Sequence, residues 1–391
     1  MSGSTSNADL VTAARTIELA DAIVGKGVRT LAATGGPDSQ QVLAYDLAHA
    51  GAAVETARSM LDYGAKGELE AKLTCAFVAD MVHDLVTRLV GREKLWGVDP
   101  STLAESHDFV QKYRDPEFLS SLATTPGQRH LDSDYEMVQD TFRSFASKVI
   151  APHAEHVHRE NLDVPEEIIS GLADIGAFGL SIPSEYGGFS EGGDGEYMAS
   201  CIATEELSRA SLGIGGSLIT RPEILTRALV KGGTEAQKHE WLPKLASAEV
   251  MAAVAVTEPD YGSDVASIKT TAVAMKQDGK DGYLINGVKT WCTFAARANV
   301  LMLLARTDPA TNNFSGLSML LAEKPRGTDA EPFPADGMTG ANSGEWAMGG
   351  AGVVQAPSVR TVTARMATLN IRGRTWFMAS SHVVVQEAQH A

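Results

Sequence analysis

Along the first hundred residues, apolar side chains return at intervals of three and four, the spacing of one helix face. Leu10, Ala13, Ala14, Ile17 and Leu19 predict a helix over 8–32, which Gly35-Gly36-Pro37 stops. Asp38 is placed to cap a second, running through Leu43, Leu47, Ala50, Val54 and Met60 to Gly64. Leu73, Phe77, Met81, Leu85 and Leu89 stand four apart and predict a third over 68–95. No single helix can bury its own stripe, so 1–127 is expected to form a small helical bundle, a separate structural module. Residues 121–128 read as a linker.

Helical patterning resumes over 132–148. Asp163-Val164-Pro165 reads as a cap and a proline start for the next helix, and 194–209 and 234–245 supply two more. At Ala252 the period changes. Ala252 to Val256 is long enough for one buried strand, and Glu258-Pro259 ends it, because proline has no N–H for a sheet ladder. Thr270 to Met275 and Tyr283-Leu284-Ile285 flank the turn signals Asp278-Gly279 and Asp281-Gly282. Asn286-Gly287 turns again into a strand that carries Trp291 and Thr293, and further strands are expected over 300–305 and 317–321. The fold class is therefore α+β: a helical domain over 128–248 followed by a β domain over 249–340. From about Ala341 the character shifts again. The tail has Arg360, Arg365, Arg372 and Arg374 but no lysine, and Leu369 is its one leucine, so no helix there has a core stripe. Short strands through Val353-Val354 and Val383-Val384-Val385 are the alternative.

Composition narrows the function classes. The 391 residues carry a formal net charge of −16 and a pI near 5.1. That argues against a general nucleic-acid binder, though not against a local basic pocket. Cys75, Cys201 and Cys292 are far apart, which implies reduced thiols and a cytoplasmic setting. The opening MSGSTSNADL shows no secretory pattern, and no apolar run reaches membrane-spanning length. His153, His156 and His158 do not share one helix face, so a solvated helix end is favoured over a metal site. Gly213-Ile214-Gly215-Gly216 lacks the third glycine and the preceding strand of a dinucleotide loop.

Candidate chemistry concentrates between Ala252 and Thr293. Gly262 and Ser263 end a strand in a loop that offers N–H groups and hydroxyls to a polar ligand. Trp291 and Thr293, two apart on a strand, share a face and make a wall for a planar ring system. Val256-Thr257-Glu258-Pro259 with Gly262-Ser263-Asp264, followed by Asn286-Gly287, Lys289, Trp291 and Thr293, resembles the paired signature of the acyl-CoA dehydrogenase family. Asp174-Ile175-Gly176-Ala177-Phe178-Gly179-Leu180, Pro183-Ser184-Glu185-Tyr186-Gly187-Gly188, Glu205-Glu206-Leu207-Ser208-Arg209, 233–238 and 241–245 fit in family order, so the likeness covers roughly 132–327.

The resemblance implies a helical domain, a middle β-barrel-like domain and bound FAD without a Rossmann domain, with 1–127 as an extra N-terminal bundle. It implies that Val254, Val256, Thr257, Gly262 and Ser263 line the flavin and the substrate's pantetheine. Trp291, Cys292 and Thr293 would line the flavin ring, and Ser263 would lie near the thioester chain. Glu258 and Asp264 would be structural. The implied reaction is α,β-dehydrogenation of an acyl-CoA, with electron-transfer flavoprotein as acceptor and a homo-oligomeric enzyme. In the family the base is a glutamate of a C-terminal helical domain. The chain is expected to lack that domain, so no base is named, and the chain alone is expected to be inactive. The N-terminal extension, 217–225 and 327–340 resemble a family member whose substrate carries a distal carboxylate. Arg221 is the candidate cation for it, with a surface position as the competing reading and Arg209 as fallback. Another short-chain or dicarboxylyl-CoA dehydrogenase, or a non-catalytic paralogue, are the alternatives.

Overall fold

The computed structural model describes residues 6–277, 280–328, 330–335, 337–342, 351–355, 364–365 and 382–384. The chain divides into two compact units, 1–130 and 131–391.

In the first unit α1 (Ser6–Ala33), α2 (Gln41–Gly64) and α3 (Glu68–Leu89) pack side by side, followed by the short α4 (Glu93–Trp96), α5 (His107–Tyr113) and α6 (Pro116–Leu122). Their shared core holds Ile17, Leu43, Leu47, Met81, Leu85 and Trp96. Asp38 does not cap α2, which starts later, after Gln40 and without a side-chain cap. The third helix stops at Leu89 instead of 95, because Gly91 takes a left-handed φ of 79°. The stretch read as a linker is helical up to Leu122, where Asp115 accepts from the N–H groups of Glu117 and Phe118.

The second unit opens with α7 (Ser133–Phe145), capped by Asp132, and continues through a π-helical turn into α8 (Ala151–Arg159). Next come α9 (Glu166–Asp174), α10 (Asp194–Ala210), α11 (Ser217–Gly232) and α12 (Glu235–Ala246). Thr234 and Gln237 close a capping box on α12. Asp163 does not cap α9: Pro165 holds that position, and Asp163 pairs with Arg297. The glycines of 213–216 form a π-helical turn packed on α10, where a Cβ on Gly216 would strike the Ser208 hydroxyl. They serve close helix packing.

The strands are β1 (Ala252–Ala255), β2 (Thr271–Gln277), β3 (Lys280–Asn286), β4 (Val288–Thr293), β5 (Val300–Arg306), β6 (Leu317–Glu323), β7 (Thr339–Asn342), β8 (Ala351–Gln355), β9 (Ala364–Arg365) and β10 (His382–Val384). In the larger sheet β1 runs parallel to β5, β6 is antiparallel on the other side of β5, and β2 pairs antiparallel with β3. The smaller sheet runs β4-β8-β7. β5 is buried nearly end to end, which explains its unbroken apolar sequence. Ile168, Leu207, Ile214, Ala253, Leu301 and Leu320 belong to one core, so the α9–α10 helices and the sheet bury a common apolar surface. Asp278-Gly279, Val385 and the rest of the tail outside β8, β9 and β10 lie outside the described residues.

Candidate functional site

β1 delivers the chain to a compact turn. Glu258 and Tyr261 exchange backbone hydrogen bonds of 3.0 and 3.2 Å around Pro259. The Glu258 carboxylate turns inward and is 5% exposed. It accepts from the backbone N–H groups of Lys269 at 2.6 Å and Thr270 at 2.8 Å, and from Lys289 Nζ at 3.0 Å. Burial pushes this carboxyl up, but the bonds from Thr270, Lys269 and Lys289 outweigh it and hold Glu258 below the usual range. Burial draws the Lys289 ammonium down and Glu258 pulls it back. With a carboxylate and the Val256 carbonyl (2.8 Å) as acceptors, the pair stands charged.

Beyond the turn the loop opens to solvent. Gly262, Ser263 and Asp264 are exposed, and a Cβ on Gly262 would meet only Thr257 Cγ2, at 4.0 Å. The backbone N–H groups of Gly262 and Ser263 make no hydrogen bond among the described residues. Val254, Val256 and Thr257 are half-buried behind them.

β4 lies against this loop, with Thr290 N–H donating to the Thr257 carbonyl at 2.8 Å. Its register with β8 shifts between Lys289 and Cys292, so Thr290 and Trp291 together oppose one residue. This β-bulge breaks the simple alternation expected from sequence and places Lys289 and Cys292, three apart, both in the interior. Trp291 adopts φ 58° and is 64% exposed. A bulky residue in the left-handed region is strained, and such strain persists where the surroundings over-determine it. Cys292 is wholly buried, its Sγ against the Thr290 carbonyl and its own carbonyl accepting the Ala295 N–H at 3.0 Å, so it presents no exposed atom to a ligand. Thr293 is half-buried on the other side of Cys292.

This donor set fits a flat, polar heteroaromatic: an exposed indole, a hydroxyl two residues on, and a neighbouring loop with unpaired N–H groups. Lys289 is the residue whose role the sequence did not reveal. Its place in the motif was visible, but a lysine reads as a surface charge until its partner is known.

The carboxylate-reading candidates fall elsewhere. Arg209 is engaged: it donates to Glu206 at 3.2 Å and to Ser147 Oγ at 2.8 Å. Arg221 lies within α11, directly before Pro222, and its side chain is outside the described part. His153 pairs with Glu167 at 2.8 Å, and no group of three His, Cys, Asp or Glu among the described residues could hold a metal ion. A cavity of about 730 Å³, lined by Ser181, Glu185, Ser190, Tyr197, Arg227 and Lys231 among others, shares no residue with the 256–264 loop or β4. Among the described residues no helix is long and apolar enough to cross a membrane.

Comparison with known proteins gives the following. Residues 132–249 match the family described as Acyl-CoA dehydrogenase, N-terminal domain, and 253–350 match Acyl-CoA dehydrogenase, middle domain. Over 217 residues the chain is 50% identical to (2S)-methylsuccinyl-CoA dehydrogenase of Cereibacter sphaeroides, covering 55% of this chain and 38% of that protein. It is 38% identical to glutaryl-CoA dehydrogenase of Desulfococcus multivorans, over 50% of this chain and 48% of the relative. The chain thus spans about half or less of the length of these curated relatives. Among solved structures, the glutaryl-coenzyme A dehydrogenase glutaryl-CoA complex superposes with a TM-score of 0.50 at 31% identity, covering 66% of this chain and 58% of that one.

Proposed function

Because the chain belongs to the acyl-CoA dehydrogenase family and carries its N-terminal and middle domains, we propose that it holds FAD on the 256–264 loop and the outer face of β4. There it would serve the α,β-dehydrogenation of an acyl-CoA thioester. The observation that carries this reading is Trp291, held out to solvent by a strained bulge on the strand whose Thr290 N–H bonds the 256–264 loop at Thr257. When bound, FAD supplies the hydride acceptor for such a reaction. The chain's own part is to orient and to exclude water. Trp291 would cover the ring system with its indole face, and Thr293 would give its hydroxyl to a polar edge of the ring. Gly262 and Ser263 would bond the ligand through their N–H groups, with Ser263 nearest the thioester chain. Val254, Val256 and Thr257 would line the inner wall. Electrons would pass to an electron-transfer flavoprotein, in a cytoplasmic homo-oligomer.

The substrate we assign is (2S)-methylsuccinyl-CoA, oxidised to mesaconyl-CoA in the ethylmalonyl-CoA pathway. The 50% identity to the enzyme of that name supports it, and Arg221 in α11 is the cation proposed to read the distal carboxylate. The test is to express the chain, titrate FAD by fluorescence quenching, and follow the flavin spectrum as methylsuccinyl-CoA, glutaryl-CoA or butyryl-CoA is added. FAD binding with a spectral shift strongest for methylsuccinyl-CoA is expected. Failure to bind FAD overturns the cofactor reading, and an equal response to all three thioesters overturns the substrate.

A further inference from the structure

Two charged side chains sit almost wholly inside the protein directly behind the candidate site. Lys289 is 2% exposed and Glu258 is 5% exposed as residues. A buried ion pair is weak evidence for stability, since well-packed apolar residues of similar volume usually serve as well or better. What it supplies is direction. The ammonium fixes two acceptors, the Glu258 carboxylate and the Val256 carbonyl, at hydrogen-bond distance. The neighbouring Thr290 N–H takes the carbonyl of Thr257. Two successive residues of β4 thereby hold three successive residues of the loop. The same carboxylate accepts the N–H groups of Lys269 and Thr270, so it also ties down the far end of the loop.

The place on β4 matters as much as the contacts. Lys289 is the last residue in register with β8 before the bulge, paired with Val354, and pairing resumes at Cys292 with Gly352. Trp291, two residues after Lys289, is the one with φ 58°. A bulky side chain does not hold that conformation unaided. Between the inward-held Lys289 and the buried Cys292, Thr290 keeps its hydroxyl inside and Trp291 is the residue turned outward.

We propose that the Lys289–Glu258 pair is a positioning element that holds Trp291 in its outward, left-handed conformation and fixes the loop beside it. The proposal rests on the flavin-site reading only for its purpose. The pair acts through Trp291 and the loop N–H groups and touches no ligand itself.

The experiment labels the full chain with 5-fluorotryptophan, assigns the Trp291 resonance by its loss in Trp291→Phe, and compares Glu258→Gln, Lys289→Met and the double variant. Glu258→Gln keeps a carbonyl for the loop N–H groups and leaves Lys289 its bond to Val256, but it also leaves a buried ammonium without its counter-charge, so it is read only where circular dichroism shows it folded. The double variant removes both charges together. The expected result is that the Trp291 resonance shifts and broadens while the resonances of the buried Trp96 and Trp241 stay in place. FAD affinity is expected to fall about tenfold or more, a loss of preorganisation equivalent to about 1.4 kcal/mol or more. A general loss of stability in this unit would instead disturb the buried Trp241 resonance as well. An unmoved Trp291 resonance in folded Glu258→Gln and double variants overturns the proposal. If the unmodified chain binds no FAD, the flavin reading fails, and the fluorine spectrum still decides whether the pair positions Trp291.

Discussion

Arg143 on α7 meets Glu206 on α10 with two parallel bonds, Nη2 to Oε1 at 2.7 Å and Nε to Oε2 at 3.1 Å. Glu206 is 1% exposed, and Arg209 adds a third donor to the same carboxylate. The helix that carries the family's E-E-L-S-R block is thus joined to α7 by a charge the sequence pattern cannot distinguish from a surface glutamate.

Arg143→Met should lower stability, by an amount that solvent screening of the half-exposed guanidinium limits. Burial raises the Glu206 carboxyl, but Arg143 and Arg209 outweigh it and the net direction is down. Its contribution is therefore present above the unfolded carboxyl value of about 4.5 and lost as pH falls through the folded one. Urea unfolding of Glu206→Gln across the acid range should show the difference from the native chain shrinking below that pH.

Lys324 predicts a rise of stability with pH at the alkaline end of the range. It is 6% exposed, donates to the Ala296 and Pro325 carbonyls at 2.9 Å each, and has no carboxylate bonded to it among the described residues. Burial, with Arg326 nearby, draws it from 10.5 to about 8. Between those values the unfolded chain binds more protons than the folded one, so stability rises with pH. Lys324→Met should remove that rise. A matching slope from pH 8 to 10 in both proteins would show that the ammonium is not confined.

Trp291→Gly separates strain from function. Removing a side chain that is 64% exposed forfeits little burial, and glycine accepts φ 58° freely. Thermal stability should rise by about 1 kcal/mol, the left-handed penalty for an L-residue, while FAD affinity falls. Thr293→Ala should weaken FAD retention without the gain in stability. Retained affinity in both variants would remove the site assignment.

Arg221→Met should weaken methylsuccinyl-CoA binding far more than butyryl-CoA binding. Losing one charged hydrogen-bond partner amounts to about 1.5–3 kcal/mol, roughly ten- to a hundredfold in affinity. Equal losses on the two thioesters would show that Arg221 does not read the carboxylate.

Gly188→Ala tests the loop after 183–186. Its Cβ would be driven into the Ile182 carbonyl oxygen, which already accepts the Ser190 N–H at 2.9 Å. That is a backbone clash with no flexible side chain to yield, so a loss of about 1–3 kcal/mol is expected in chemical denaturation.

Local signals in the sequence determined much of this protein. The stripes through Leu43, Leu47, Met81 and Leu85 dictated helices, because one face of each had to leave water. Thr234 and Gln237 dictated where α12 begins, since both halves of the capping box lie within four residues. The unbroken apolar run of β5 and the ordered motifs dictated the α+β family fold. What the tertiary structure decided depends on partners distant in sequence. Asp163 looked like a cap and became a mate for Arg297, 134 residues away. Arg209 looked available for a substrate and is held by Glu206 and Ser147. Lys289 stood in the motif with no role assigned and lies inside, 31 residues from its carboxylate. The bulge that turns Trp291 outward follows from pairing with β8, which no window around β4 contains. Periodicity reports which face is buried, but the burial of a charge depends on whether its counter-charge arrives, and only the folded chain brings the two together.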